Sequence, residues 1–131
     1  MEKILEKLPS NVKNIIVDFH AEASSEKLAM GRFLDGKVTA VLGTHTHVQT
    51  ADARILPGGT AVLSDTGMCG AETSVLGREV SAVLKKFRTG MPVRLPVVES
   101  GRIRVDGAAV SYDSTSGRAA KITPFSRIVE I

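Results

Sequence analysis

The sequence predicts an α/β fold, a mixed sheet with flanking helices, and three features carry the prediction. Two apolar runs, residues 15–17 and 38–43, each lead straight into a polar stretch that bears histidine. A segment with helical periodicity separates them, long enough to cross over a sheet. Beyond residue 92 the pattern changes to alternating apolar and polar residues between SG and DG turns, which predicts antiparallel strands.

Taken in order, residues 1–9 space Ile4, Leu5 and Leu8 among Glu2, Lys3, Glu6 and Lys7 and close on Pro9, predicting one short helix. Ile15, Ile16 and Val17 predict a buried strand that ends with Asp18 and His20. Ser24 or Ser25 can cap the next helix, which carries Leu28, Ala29, Phe33 and Leu34 and which Gly36 would end in a left-handed conformation. VTAVLG, residues 38–43, predicts a second buried strand running into THTHVQT. Strand, helix and strand compose a right-handed parallel unit, and ligands gather beyond the carboxyl ends of such strands. His20, His45 and His47 are therefore expected along one edge.

ARIL, the PGG turn and TAVLSD then predict a hairpin, followed by the glycine-rich loop DTGMCG. Residues 77–87 place Val80, Val83, Leu84 and Phe87 on one helical face, with Lys85, Lys86 and Arg88 near the carboxyl end, where cations suit the helix dipole. VRLPVVE, SGRIRVDGAAVSYD and RAAKITPFSRIVEI complete the chain as antiparallel strands.

The whole-chain numbers bound the function. A chain of 131 residues, 43% hydrophobic, is expected to form a single domain over residues 1–131. A formal charge of +3, dispersed along the sequence, gives no strong nucleic-acid signature, and four Phe, one Tyr and no Trp argue against base-stacking platforms. The single Cys69 excludes an internal disulfide, and the opening MEKILEKLPS lacks the apolar run of a signal peptide. The expectation is a cytoplasmic protein with no membrane partner.

All three histidines fall between positions 20 and 47. If residues 45–47 continue the strand, His45 and His47 share a face and Thr46 points away. Neutral imidazole suits zinc, manganese or iron, and His20 could add a third ligand or serve a second ion. Any one histidine taken alone more often bonds a backbone carbonyl. Three at matching strand ends favour a metal. Asp18 could orient a ring, or only cap a turn. Glu22 could be a ligand or general base, although a glutamate before a helix is more often solvated near the helix dipole. The glycines of DTGMCG could cradle an anion or simply permit a tight turn. Cys69 has no neighbouring base and reads as structural.

DFHAE, GTHTHVQTAD, SDTGMCG and KKFRTGMPVRLPV, in that order and spacing, resemble the carboxyl-terminal half of the YmdB-type bacterial metallophosphoesterases of the calcineurin-like superfamily. CapA-type proteins of poly-glutamate synthesis carry a similar histidine-rich strand end, but DFHAE and SDTGMCG fit the YmdB type better. The resemblance implies half of a metallophosphoesterase β-sandwich, and a phosphodiesterase that opens cyclic nucleotides by metal-bound hydroxide with two divalent ions, Fe, Mn or Zn. By motif, His20 and His45 correspond to ligands of one metal and His47 to a ligand of the other. The family's GD motif, its bridging acid with the neighbouring Asn, and its NH motif with the proton donor have no counterpart here. No catalytic residue is thus assigned, and the isolated chain is expected to be incomplete or inactive.

Strands written for burial on both faces expose an edge if a partner half is missing, so self-association or pairing with a separate amino-terminal half is expected. Two other readings stand beside this one: a mononuclear three-histidine zinc hydrolase, and a non-catalytic assembly module.

Overall fold

The structure, a computed structural model, describes residues 1–130. The chain opens with the short helix α1 (Glu2–Leu5), the strand β1 (Ile16–His20) and the crossover helix α2 (Ser24–Phe33). Next come β2 (Ala40–Thr44), β3 (Arg54–Ile55), β4 (Ala61–Leu63) and β5 (Cys69–Ala71). The helix α3 (Val80–Thr89) and the long strands β6 (Arg102–Tyr112) and β7 (Ala119–Glu130) complete it. One sheet has the order β1-β2-β4-β3, with β1, β2 and β4 parallel and β3 antiparallel on β4. The other is the antiparallel sheet β5-β6-β7. This is the mixed-sheet α/β architecture the sequence predicts, and it places β1 and β2 in register from Ile16↔Ala40 to His20↔Thr44.

The parallel sheet is covered on both faces. On one, α2 packs Leu34 against Val38, Val41, Leu56 and Val62, with Phe19 and Val17 of β1 beside them. On the other, Ala40 and Ala61 meet Ala119 of β7, with Val110 and Ile122 around them. Alanines at this contact bring the two sheets close, as dense interior packing requires.

The crossover helix turns a different face inward from the one its apolar residues suggest. Lys27, Gly31 and Leu34, spaced one helical repeat apart, are buried, whereas Leu28 and Phe33 are exposed. A Cβ at Gly31 would stand 2.9 Å from a methyl of Val62, so glycine sets how closely α2 lies on the sheet. The helix starts without a serine cap: Ser24 and Ser25 lie inside it, Ala23 holds the N-cap position, and the Glu26 carboxylate accepts the Ala23 amide at 3.2 Å, the reciprocal half of a capping box. Gly36 is left-handed, φ 78°, as the sequence predicts.

Three further expectations are corrected. The helix predicted over residues 1–9 contracts to four residues, because Leu5 alone of its apolar residues packs on the core and a free short helix is marginal. The glycine-rich loop after β4 turns into strand β5, paired with β6 through Cys69↔Val105. VRLPVVE forms only an isolated bridge, Val97 to Arg78, since Pro92 and Pro96 cannot donate to a ladder. On α3, Val83 is buried while Val80, Leu84 and Phe87 remain exposed. No helix among the described residues is long and apolar enough to cross a membrane.

Candidate metal centre

The site grows from the ends of β1 and β2. His20 is the last residue of β1 and lies opposite Thr44, the last residue of β2. The Thr44 hydroxyl donates to Asp18 Oδ1 at 3.3 Å, so its oxygen is free to accept His20 Nδ1–H, 3.1 Å away. That network assigns the tautomer, leaving the lone pair on His20 Nε2. By the same logic His45 Nδ1–H donates a hydrogen bond to that nitrogen, 3.2 Å away, and the two rings meet edge to face with centroids 5.1 Å apart. Asp18 thus reaches His20 through Thr44 rather than directly.

The donor pair can be tested for fit to an ion. Imidazole nitrogens bound at ~2.0–2.1 Å to one divalent ion lie roughly 2.8–3.0 Å apart in adjacent octahedral positions and roughly 3.3–3.4 Å apart in tetrahedral ones. The 3.2 Å separation of His20 Nε2 and His45 Nδ1 lies between the two, within a small adjustment of the tetrahedral value. Both rings are exposed, so an ion has access to them. The residues present fit a divalent metal.

His47 is placed differently. The chain leaves strand geometry after Thr44: His45 has φ 143° and His47 φ 62°, so the alternation expected of a continuing strand does not hold. His47 lines a cleft of about 410 Å³ with Gln49, Met68, Glu72, Arg104, Asp106 and Ser126. The structure thus brings His20 and His45 into contact and sets His47 on the neighbouring cleft. Among the described residues no three His, Cys, Asp or Glu side chains gather into one ready-made metal set. Glu22 is exposed on the loop after β1, and Cys69 is an exposed free thiol on β5.

Positive φ at non-glycine residues costs about 1–3 kcal/mol each and persists only where the surroundings hold it. Here the holding group is Asp65, fully buried just after β4. Its Oδ2 accepts the Thr46 amide at 2.8 Å and Lys27 Nζ at 3.1 Å, and its Oδ1 accepts the Gly67 amide at 3.0 Å. Burial pushes the Asp65 carboxyl up, but the Thr46 and Gly67 amides, the Thr46 hydroxyl and Lys27 outweigh it and hold it below the usual carboxylate value. Asp52 beside it behaves likewise: desolvation is overcome by the hydroxyls of Ser64 (2.5 Å) and Thr50 (2.6 Å) and by the Ser64 amide. Gln49 then ties the histidine loop to the second sheet, its amide donating to the carbonyls of Gly107 at 2.9 Å and Phe125 at 3.1 Å.

Sequence patterning does not single out Asp65 or Lys27. Asp65 had a signal, since it follows an apolar run, TAVLS, just as Asp18 and His20 follow theirs; SDTGMCG reads instead as a glycine turn. Lys27 had none, because nothing local marks which helix face meets the sheet.

A helix-covered parallel sheet stacked on an antiparallel one, with histidines at the parallel strand ends, is one half of a metallophosphoesterase β-sandwich. The chain belongs to the YmdB-like protein family, whose model matches residues 1–125. It is 50% identical over 108 residues to the 2',3'-cyclic-nucleotide 2'-phosphodiesterase of Bacillus subtilis strain 168, a match covering 82% of this chain and 40% of that protein. A putative phosphatase/phosphodiesterase of Mycoplasma pneumoniae is 41% identical over 116 residues, covering 88% of this chain and 41% of that one. Two crystal structures superpose on it. A hypothetical protein from Thermus thermophilus has a TM-score of 0.86 at 38% identity, covering 97% of this chain and 48% of that one. A novel phosphatase from Mycoplasma pneumoniae has a TM-score of 0.85 at 34% identity, covering 97% and 44%. The chain spans about two-fifths of the length of the curated relatives it matches.

Proposed function

We propose that this chain forms the histidine-bearing side of a metal-dependent phosphodiesterase that hydrolyses cyclic-nucleotide phosphodiesters. One observation carries the reading: His20 Nε2 and His45 Nδ1 stand at ligand spacing, 3.2 Å, where two parallel strands end. The names of the Bacillus and Mycoplasma relatives support a phosphoester substrate. A bound divalent ion would supply Lewis-acid polarisation of the phosphoryl group and lower the pKa of water.

The chain's own residues do the rest. His20 offers Nε2 because Thr44 and Asp18 engage its other nitrogen. His45 offers Nδ1 once its proton resides on Nε2. His47, one residue beyond Thr46, lines the cleft and would hold the second ion. That cleft has room for the nucleoside portion of a substrate, with the Arg104 guanidinium and the Ser126 hydroxyl as polar contacts. Glu72 restrains Arg104 at 3.7 Å and Arg102 at 3.2 Å. Imidazoles bring no negative charge, so two close divalent ions would also require carboxylates; Glu72 and Asp106 line the cleft beside His47, and any further ones would come from outside these 131 residues.

Calorimetric titration of the chain with Mn²⁺, Co²⁺ and Zn²⁺ tests this. Binding lost in His20→Ala and in His45→Ala is expected, with hydrolysis of 2',3'-cyclic nucleotides appearing when the remainder of the family fold is supplied. A folded chain that binds none of these ions would overturn the reading. One tightly held ion requiring all three histidines would favour the mononuclear centre instead.

A further inference from the structure

We infer that the buried Lys27–Asp65 pair is a positioning device for the metal-binding loop, fixing the peptide between His45 and His47; the inference rests on the reading of those histidines as ligands. Lysine on a crossover helix ordinarily reaches solvent, yet the Lys27 side chain is 4% exposed and that of Asp65 is wholly buried. Burying two charges removes their hydration, and an apolar pair of similar volume would hold the fold at least as well. The pair is therefore poorly explained as a device for stability alone.

Its geometry shows what it supplies. The shortest contact of Asp65 is to the amide of Thr46, at 2.8 Å, and Thr46 is the one residue between the two histidines. A backbone that is left-handed or strained on both sides of a single amide needs that amide fixed, and the Asp65 carboxylate fixes it from beneath. Lys27 in turn fixes the carboxylate: the Oδ2 that takes the Thr46 amide also takes Lys27 Nζ, at 3.1 Å. The path of Lys27 is itself built in. A Cβ on Gly43 would lie 3.0 Å from Lys27 Cδ and 1.9 Å from the Ser64 carbonyl oxygen, so only glycine lets the lysine stem and β4 pass at this level. Helix α2, the end of β4 and the loop after β2 converge on one carboxylate. Neither residue touches an ion or a substrate; they act through Thr46.

Lys27→Met and Asp65→Asn keep the shape of each side chain but break a buried pair, so each is expected to be less stable than wild type, and amide dispersion reports whether it folds. Two readouts apply to the 131-residue chain. The first needs no metal: the imidazole Hε1 resonances of its three histidines. Those of His45 and His47 are expected to move in both variants while amide dispersion is retained. The second is the affinity and visible spectrum of bound Co²⁺. Affinity is expected to fall about 10- to 100-fold with an altered spectrum, as when ligand-orienting partners are removed.

Lys27→Arg, which keeps the charge, should recover more of the affinity than Lys27→Met does. Unmoved histidine resonances and unchanged cobalt affinity in a folded variant would reduce the pair to a structural contact. If Lys27→Met fails to fold, Asp65→Asn carries the same test. If the wild-type chain binds no cobalt, the metal-centre reading fails, and the histidine resonances still decide whether the pair sets the loop.

Discussion

Replacing Gly43 by alanine is the most direct test of how the site is assembled. The added Cβ would stand 1.9 Å from the Ser64 carbonyl oxygen, against roughly 3.3 Å for the closest comfortable carbon–oxygen approach. The shortfall of about 1.4 Å falls on backbone, which cannot rotate out of the way as a side chain can. β2 and β4 must separate, and the hydrogen bond from the Thr66 amide to the Gly43 carbonyl, 2.9 Å, is lost with that movement. Overpacking of this kind costs about 1–3 kcal/mol, and an unmade buried backbone hydrogen bond about 1–3 more. A total of about 2–6 kcal/mol, near 4 at its centre, follows, a large share of the roughly 5–15 kcal/mol that holds a domain of this size.

For 131 residues a loss of about 4 kcal/mol corresponds to a fall of about 10–15 °C in melting temperature. Urea unfolding followed by circular dichroism measures the free energy, and a thermal scan measures the shift. A loss below about 1 kcal/mol would refute the claim that this glycine is demanded by strand and lysine together. The same variant is expected to weaken cobalt binding, because the Lys27 stem shares the crowded space.

Thr44→Val preserves shape and removes the hydroxyl between Asp18 and His20. Cobalt affinity should drop about 10- to 100-fold while stability changes by less than about 1 kcal/mol, and calorimetry showing unaltered affinity would mean that Asp18 does not act on the ligand at all. The acid limb of stability has a definite sign. Asp52 and Asp65 have folded-state pKa values below the ordinary 3.8, so each stabilises the fold fully above that value and loses the contribution as pH falls through its lower, folded one. In urea titrations from pH 7 downward, the stability gap between wild type and Asp52→Asn should therefore be widest near neutrality and close below 3.8; a gap constant across the range would show that the carboxylate charge is not what stabilises.

Much of the fold was legible because its apolar runs are local. IIV and TAVLG end in polar residues, and both became parallel strands in register with one another. The hairpin through PGG and the long strands β6 and β7 were announced by turn residues in the same way. What stayed hidden depends on contacts distant in sequence. The inward face of α2 is set by a carboxylate 38 residues away, so an apolar pattern that counts Leu28 and Phe33 as core and Lys27 as surface points the helix the wrong way. The histidines were visible as a cluster, but not the departure from strand geometry after Thr44, which comes from the Asp65 contact to the Thr46 amide. Pattern reading assumes that polar means outside, and it fails where a polar network organises a loop.

That network also decides which charges the centre can use. Asp65 is the buried carboxylate that contacts the histidine loop, but both its oxygens are engaged by N–H donors and Lys27 offsets its charge, so it is withdrawn as a ligand. Asp18 contributes only through the Thr44 hydroxyl, and Asp52 is held by Ser64 and Thr50. These three carboxylates therefore build and orient the histidine loop, whereas Glu72 and Asp106 line the cleft beside His47. On the proposed reading, the imidazoles would bind an ion by donor softness and spacing rather than by charge. On the proposed reading, further carboxylates would raise ion affinity, so the metal titration is most informative when made with and without the rest of the fold.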